Sequence, residues 1–423
     1  MGNLRRATRS ASLGFSLIAL AAAGAAADPT TITFITRGSW APYDQQLADL
    51  FNAQSTDVKV KVEKVPGGTN PYLERVRVGV AGGEPADVMM IEEGIEVTMA
   101  QENQLLDLMP YVQRDHFDVA GYFPGVRQFH VRNDHMYSVS LGTHVQTLQV
   151  DEDALAAAGI PLPGRDWSKT WSWTDLRAVG KRLVQTGPDG RMTRSAIRID
   201  KSSDIWLPVL WQYGGRLFSQ SADGHTRSAL GEPAARDAFT LLQQLYHVDQ
   251  IATVDGGIDQ GTAAMAIDST LTLGPEFQVK SHWGVYPLPQ GPAGPATQSA
   301  SNGVAILKAS AHPEAAWKFL QWLTGPGMPQ VVAMSKFGVP PNANYAAQVI
   351  RNLFSSVPTE ADRLVIFNGL QVSRAKPFLF YGDILSATRE FILPAVIDNK
   401  TAVESALTQV VDKTNGLLAA AGL

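Results

Sequence analysis

Residues 136–160 read MYSVSLGTHVQTLQVDEDALAAAGI and constrain the fold more than any other stretch of the chain. Tyr137, Val139 and Leu141 alternate with polar positions, which predicts a strand. Gly142-Thr143-His144 interrupts that run with small and polar residues, and a second extended run follows from Val145 to Val150. Asp151 then precedes residues 152–158, whose alanines and acids favour helix, so Asp151 is expected as an N-cap. Two extended runs meeting at such a joint fit two architectures. In one, the chain leaves one domain and enters another through a joint that absorbs a change in φ and ψ. In the other, a glycine bulges a single strand of a single sheet. Taken alone, the local sequence favours the bulge; the rest of the chain favours the crossing.

From its start the chain alternates strand and helix. TITFIT at 31–36 reads as a strand, and 43–52 carries Leu47, Leu50 and Phe51 at helical spacing. A strand at 58–65, a helix at 72–80 closed by Gly82-Gly83, and a short buried strand at 85–91 follow. Glu92-Glu93-Gly94 is its exit, and 95–101 is helical again. This order predicts a parallel sheet covered on both faces. Ligands bind such sheets beyond the carboxyl ends of the strands, where Trp40 and Glu92-Glu93 fall. Later, Trp171-Ser172-Trp173-Thr174 opens a helix to about 184. Strands are expected at 196–199, near 263–267, at 283–286 and at 304–307, the last led by Ser301-Asn302-Gly303. Helices at 205–213, 233–247, 312–323, 328–335 and 402–420 complete the reading. The 423 residues suggest about two or three domains.

Several classes of function are excluded. There are no cysteines, hence no disulfide framework, thiolate metal site or cysteine nucleophile. A formal net charge of −5 without long runs of one sign does not invite nucleic acid or an anionic membrane. No nucleophile elbow, HExxH zinc motif, P-loop or Rossmann glycine fingerprint is present. Adjacent Glu92 and Glu93 point to opposite sides, unlike a glycosidase pair facing across one bond. No catalytic residue, metal or cofactor is expected. Arg5, Arg6 and Arg9 precede an apolar, alanine-rich run and an Ala25-Ala26-Ala27 cleavage signal, which together read as a secretory signal peptide over 1–27. Without a cysteine the mature chain is expected free in the periplasm rather than as a lipoprotein.

The motifs stand in an order that resembles the family 1 extracellular solute-binding proteins, the maltose-binding-protein-like receptors of ABC importers. The matching pieces are TITFITRGSW, FNAQ followed by VKVKV, VAGGEPADVMMIEEG, YSVSLGTHVQTLQVDEDALAAAGI and WSWTDL. QGTAAMAID, WGVYPLPQGPAG, SNGVAILKAS, AAWKFLQWL and FGVPPN complete the series, which covers essentially the whole mature chain. The resemblance implies an α/β, two-lobed periplasmic binding protein type II fold, each lobe a mainly parallel sheet flanked by helices, joined by a hinge. It implies an N-terminal lobe of residues 28–143 plus 287–338 and a C-terminal lobe of 145–286 plus 339–423. The implied function is capture of a mono- or oligosaccharide by a monomer, which presents it to the membrane permease subunits of an ABC importer. Another solute (glycerol phosphate, a polyol or a polyamine) and a secreted carbohydrate-active enzyme remain as alternatives.

A sugar offers rows of hydroxyls and weakly apolar ring faces, so its site needs aromatic rings and fixed polar partners. By position in the resemblance, the candidates are Trp40 in the first strand's exit, Glu92 and Glu93 in the third's, and Thr143 and His144 at the crossing. In the second lobe they are Asp204 and Trp206 at a helix start, with Trp206 for ring stacking, and Asp268 and Ser269 after the QGTAAMAI strand. Asn302 and Gly303 precede a strand where relatives carry Gly-Gly or Gly-Trp, so Asn302 departs from the pattern. Arg374 in SRAKPF matches an arginine near the ligand. Trp211 and Trp283 are expected in the core.

Overall fold

The computed structural model describes residues 28–423 apart from 222–223, 275, 335–337 and 377–380. The signal peptide reading at 1–27 lies outside the described residues. Strand Thr30–Arg37 (β1), helix Ala41–Gln54 (α1), strand Val58–Val65 (β2), helix Thr69–Ala81 (α2), strand Val88–Glu92 (β3) and helix Glu93–Gln101 (α3) realise the predicted alternation. Successive side chains of a strand point to opposite faces. In β1 that places Ile32 and Phe34 against Leu47 and Phe51 of α1, and Ile35 against Tyr72 and Val76 of α2. Both faces are therefore buried, as a parallel sheet requires.

Helix Pro124–His130 (α4) leads to strand Ser138–Asp151 (β4), every residue of which is buried. The predicted cap holds: the Asp151 carboxylate accepts from the Ala154 N–H at 3.0 Å. Next come helix Trp173–Gly180 (α5), strand Met192–Arg198 (β5), helices Ser203–Gln212 (α6) and Pro233–His247 (α7), and strand Ala263–Ser269 (β6). Helix α5 begins with a capping box between Ser172 and Asp175 and ends earlier than its apolar spacing suggests. Strands Trp283–Tyr286 (β7) and Thr297–Ile306 (β8) precede helices Pro313–Thr324 (α8), Glu360–Gln371 (α9) and Val403–Ala420 (α10). β8 begins well before the predicted 304, so Asn302 and Gly303 lie inside a strand rather than leading into it. Trp283, packed on Phe277 with ring centroids 5.1 Å apart, and Trp211 are both buried, as expected.

Eight strands form one hydrogen-bonded path in the order Ala252–Thr253, β5, β6, β4, β8, β3, β1, β2, and β7 adds to β4. The flanks are parallel, β2–β1–β3 on one side and β5–β6 on the other. The centre is antiparallel, because β8 runs against both β3 and β4, and β4 against β6 and β7. Strand β4 changes partners along its length. Its first half pairs with β8 from Ser138 to Val145, and its second half with β6 and β7 from Gln146 to Asp151. At the joint, Gly142 faces Asn302 while Ser140 faces Gly303, leaving Leu141 as an extra residue. The two readings of residues 136–160 thus coincide: one bulged strand carries the chain from one set of neighbours to the other. The result is the mixed α/β, two-lobed architecture that the strand–helix alternation and the motif order implied.

Candidate functional site

Three segments bring charged side chains together beyond the strand ends. Glu92 closes β3, Glu93 opens α3, and Asp204 lies in the first turn of α6. Lys376 follows the short strand Ser373–Arg374, which pairs in parallel with Thr297 and Gln298 of β8. The Lys376 ammonium stands 2.8 Å from Asp204 Oδ1 and 3.3 Å from Glu93 Oε2. Glu93 Oε1 accepts from the Ser301 backbone N–H at 2.8 Å. Burial raises the Glu93 pKa, opposed by Lys376. Its place at a helix N-terminus also favours negative charge there.

His144 sits beside this cluster with 8 % of its surface exposed, and its Nδ1 has no hydrogen-bond partner among the described residues. Burial lowers its pKa to about 4; Asp204 works against that shift and Lys376 with it. At neutral pH the ring is therefore uncharged, with one nitrogen donating and the other accepting.

Two further ion pairs border the strand ends. Arg37, the last residue of β1, binds Glu92. Arg198, the last residue of β5, binds Asp268 and lies 3.2 Å from Asp200 Oδ2. Asp268 Oδ1 accepts from the Ser269 N–H at 2.8 Å, and burial raises the Asp268 pKa against the pull of Arg198. Arg374 lays its guanidinium over the Trp211 ring, 5.8 Å from the centroid, a cation–π contact.

Four of the sequence candidates are committed to structural contacts. The Thr143 hydroxyl is buried and donates to the Ala300 carbonyl at 2.8 Å, tying β4 to β8. Trp206 is 4 % exposed and packs on Phe239 with ring centroids 5.6 Å apart, so it belongs to the core and offers no face for stacking. The Ser269 hydroxyl accepts from the Leu271 N–H at 3.2 Å and caps the turn Thr270–Thr272. At Gly303 a Cβ would lie 2.4 Å from the Val139 carbonyl oxygen, so glycine is there to let the strands approach. Trp40 ends the turn Gly38–Trp40 and rests half-buried against the core, and Asn302 stands in register between Glu92 and Gly142.

A buried polar chain backs Glu93. Ser301 Oγ lies 2.9 Å from His130 Nε2 and 2.8 Å from Ser140 Oγ. His130 Nδ1 is 2.8 Å from Ser138 Oγ, which donates to Glu96, and Arg132 Nη2 closes the chain 2.8 Å from that carboxylate. Every polar group in this chain has a partner, so it holds Ser301, and with it Glu93, in a fixed place. Sequence reasoning singled out neither Arg37, Arg198 nor Lys376. The strand-exit rule that points to Trp40 and Glu92-Glu93 reaches Arg37 in TRGSW and Arg198 in AIRID equally well. Lys376 stands two residues from Arg374 in SRAKPF, with no local sign of which one meets the carboxylates.

No described helix is long and apolar enough to cross a membrane, and no three His, Cys, Asp or Glu side chains among the described residues group as a metal site. An uncharacterised lipoprotein of Streptomyces antibioticus, from the oleD 5′ region, is 28% identical over 346 residues, covering 73% of this chain and 70% of that one. Among solved structures, the sugar-binding protein MalE of Xanthomonas citri superposes with a TM-score of 0.76 at 21% identity, covering 93% of this chain and 98% of that one. UgpB of Mycobacterium tuberculosis in complex with glycerophosphocholine gives 0.75 at 17% identity, with 94% and 100% covered. At these identities the likeness establishes the fold. The profile of the bacterial extracellular solute-binding proteins matches residues 37–328, more than half of the sequence, and this chain belongs to that family.

Proposed function

We propose that this protein is the periplasmic capture subunit of an ABC importer, that it binds without breaking bonds, and that its solute is a carbohydrate. The observation that carries the carbohydrate reading is the pairing of three of the cations beside the strand ends, Arg374 lying over the Trp211 ring instead. Arg37, Arg198 and Lys376 are each held by carboxylates. An anionic group entering here has to compete with those carboxylates, whereas a neutral polyol finds carboxylate lone pairs, the Lys376 ammonium and the His144 ring. A sugar-binding relative and a glycerophosphocholine-binding one share the fold, so this local chemistry decides between them.

The solute is received by Glu92, Glu93, His144, Asp204, Asp268, Asn302 and Lys376, with Trp40 and Arg374 at the margins. The lobes are 28–143 plus 287–338 and 145–286 plus 339–423. The change of partners along β4 supports a crossing next to His144. Val339 exchanges two backbone hydrogen bonds of 2.8 Å with Thr143, which supports a further crossing near Gly338, after the return near Tyr286. The signal peptide over 1–27 exports the chain. The Streptomyces relative bears the name lipoprotein, but this sequence has no cysteine to lipidate, and we read the mature monomer as free.

The test is a thermal-shift panel on mature protein that has been unfolded and refolded to strip retained solute, against mono- and disaccharides, polyols, glycerol phosphate and polyamines. A solute at a hundred times its dissociation constant adds about 2.7 kcal/mol to stability. The expected result is a shift with a sugar, lost or weakened at least tenfold in affinity by Lys376→Met, with equimolar binding and no product. A shift confined to phosphate esters or amines retires the carbohydrate reading, and product release retires the binding one.

A further inference from the structure

Away from the charged cluster the protein holds a cavity of about 530 Å³, within the roughly 300–1,000 Å³ usual for small-molecule sites. It shares no lining residue with Glu93, Lys376, Asp204 or His144. Phe117 and Tyr122 form one wall, with ring centroids 6.3 Å apart at 77°, and Phe117 is itself braced by Trp317 at 5.5 Å. Pro341 and Tyr345 also line it, as do Asp118 and Asn342, whose amide nitrogen donates to the carboxylate at 2.8 Å. The lining holds two carboxylates and several amides but no Lys, Arg or His; Arg114, outside it, pairs with Asp115 at 2.8 Å, so the charge set against an anion is that of Asp118. Rings and prolines supply apolar faces, and amides and carboxylates supply donors and acceptors. That combination suits a ring with polar substituents and repels an anion.

The cavity is also placed to report on the crossing. Its lining comes from residues 115–122 and the end of α8 before the proposed crossing near Gly338, and from residues 340–348 just after it. The two are stitched by backbone bonds from Phe123 N to Pro341 O at 3.0 Å and from Ala343 N to Gly121 O at 2.8 Å. Gly121 leaves no space for a Cβ, which would lie 2.4 Å from both Asn342 Nδ2 and Asp118 Oδ2. Pro340 adjoins Val339, whose paired bonds end on Thr143, the neighbour of His144. A molecule held here contacts both sides of the seam next to the proposed crossing near Gly338.

We propose that this cavity is a second small-molecule site, taking an uncharged or cationic sugar ring, and that its occupation changes the affinity of the strand-end site. The coupling half rests on the binding reading above; the cavity half does not. Calorimetry and native mass spectrometry on the mature protein, with glucose, glucosamine and glucose 6-phosphate as probes, test both halves. The expected result is a binding event that persists when the strand-end site is disabled by Asp204→Ala with Lys376→Met. Tyr345→Ala and the milder surface change Asn344→Ala each weaken that event at least tenfold, and glucose 6-phosphate binds there at least tenfold more weakly than glucose. No such event in the disabled protein, indifference to both cavity variants, or preference for the phosphate ester overturns the site. A strand-end affinity that changes less than threefold between wild type and Tyr345→Ala overturns the coupling. A strand-end site that turns out to take some other solute leaves the cavity event standing, so the two readings fail separately.

Discussion

His144 shows how one side chain acquires a role from its surroundings. Its pKa falls from 6.5 to about 4 because burial penalises the imidazolium more than Asp204 stabilises it. Between those two values the unfolded chain binds a proton that the folded chain refuses, so folding stability rises with pH across that window and is lost on acidification. A shift of this size is on the order of 3 kcal/mol. In urea titrations at pH 7 and pH 4, wild type should therefore lose stability relative to His144→Asn by up to about that amount. A difference between the two proteins that stays flat with pH removes the buried neutral imidazole from the account. The same scale explains why Trp206 misleads a reader of the sequence. A tryptophan at a helix start can stack on a ligand or pack in the core, and only the position of Phe239 decides.

At the scale of elements, β4 and β8 do the positioning. Their close approach depends on Gly303, whose missing side chain leaves room for the Val139 carbonyl. Neither strand can move aside, since β4 also holds β6 and β7, and β8 also holds β3. Gly303→Ala should cost about 1–3 kcal/mol, the range for overpacking a buried site, read as a lower urea midpoint with an unchanged slope. Because Asn302 and Ser301 precede it on the same strand, the variant should also weaken solute binding. A fully stable Gly303→Ala protein contradicts the tight β4–β8 contact. Glycine at 303 thus belongs to the strand, although in the sequence Asn302-Gly303 reads only as the lead into one, because a Gly beside an extended run gives no sign of what lies across from it.

For the whole molecule, the proposed capture mechanism requires that the lobes approach when the solute is bound. Small-angle scattering of solute-stripped protein should show the radius of gyration falling when the identified sugar is added to saturation. Identical scattering in the two states argues for a rigid site and against hinge closure. On the proposed lobe bounds the chain crosses near His144, between 286 and 287, and near Gly338, and the first and last of these meet at the bulge at Leu141 and the Thr143–Val339 pairing. Both lie within three residues of His144, so the proposed solute contacts and the proposed hinge occupy the same place.

The sequence by itself determined the local elements and their order. Alternation in TITFIT, helical spacing around Phe51, and the caps at Asp151 and Ser172 are short-range signals, set by backbone geometry and side-chain reach. The strand-end rule points to Trp40, Glu92 and Glu93, and the family resemblance adds Asp204 and Asp268, which the structure places beside the same strand ends. Tertiary structure alone decided which polar groups remain available there. Lys376 meets Glu93 and Asp204 across separations of 283 and 172 residues, and Thr143 spends its hydroxyl on Ala300, 157 residues away. Such pairings depend on how β4, β8 and α6 are brought together, and local periodicity carries no information about partners so distant in the chain.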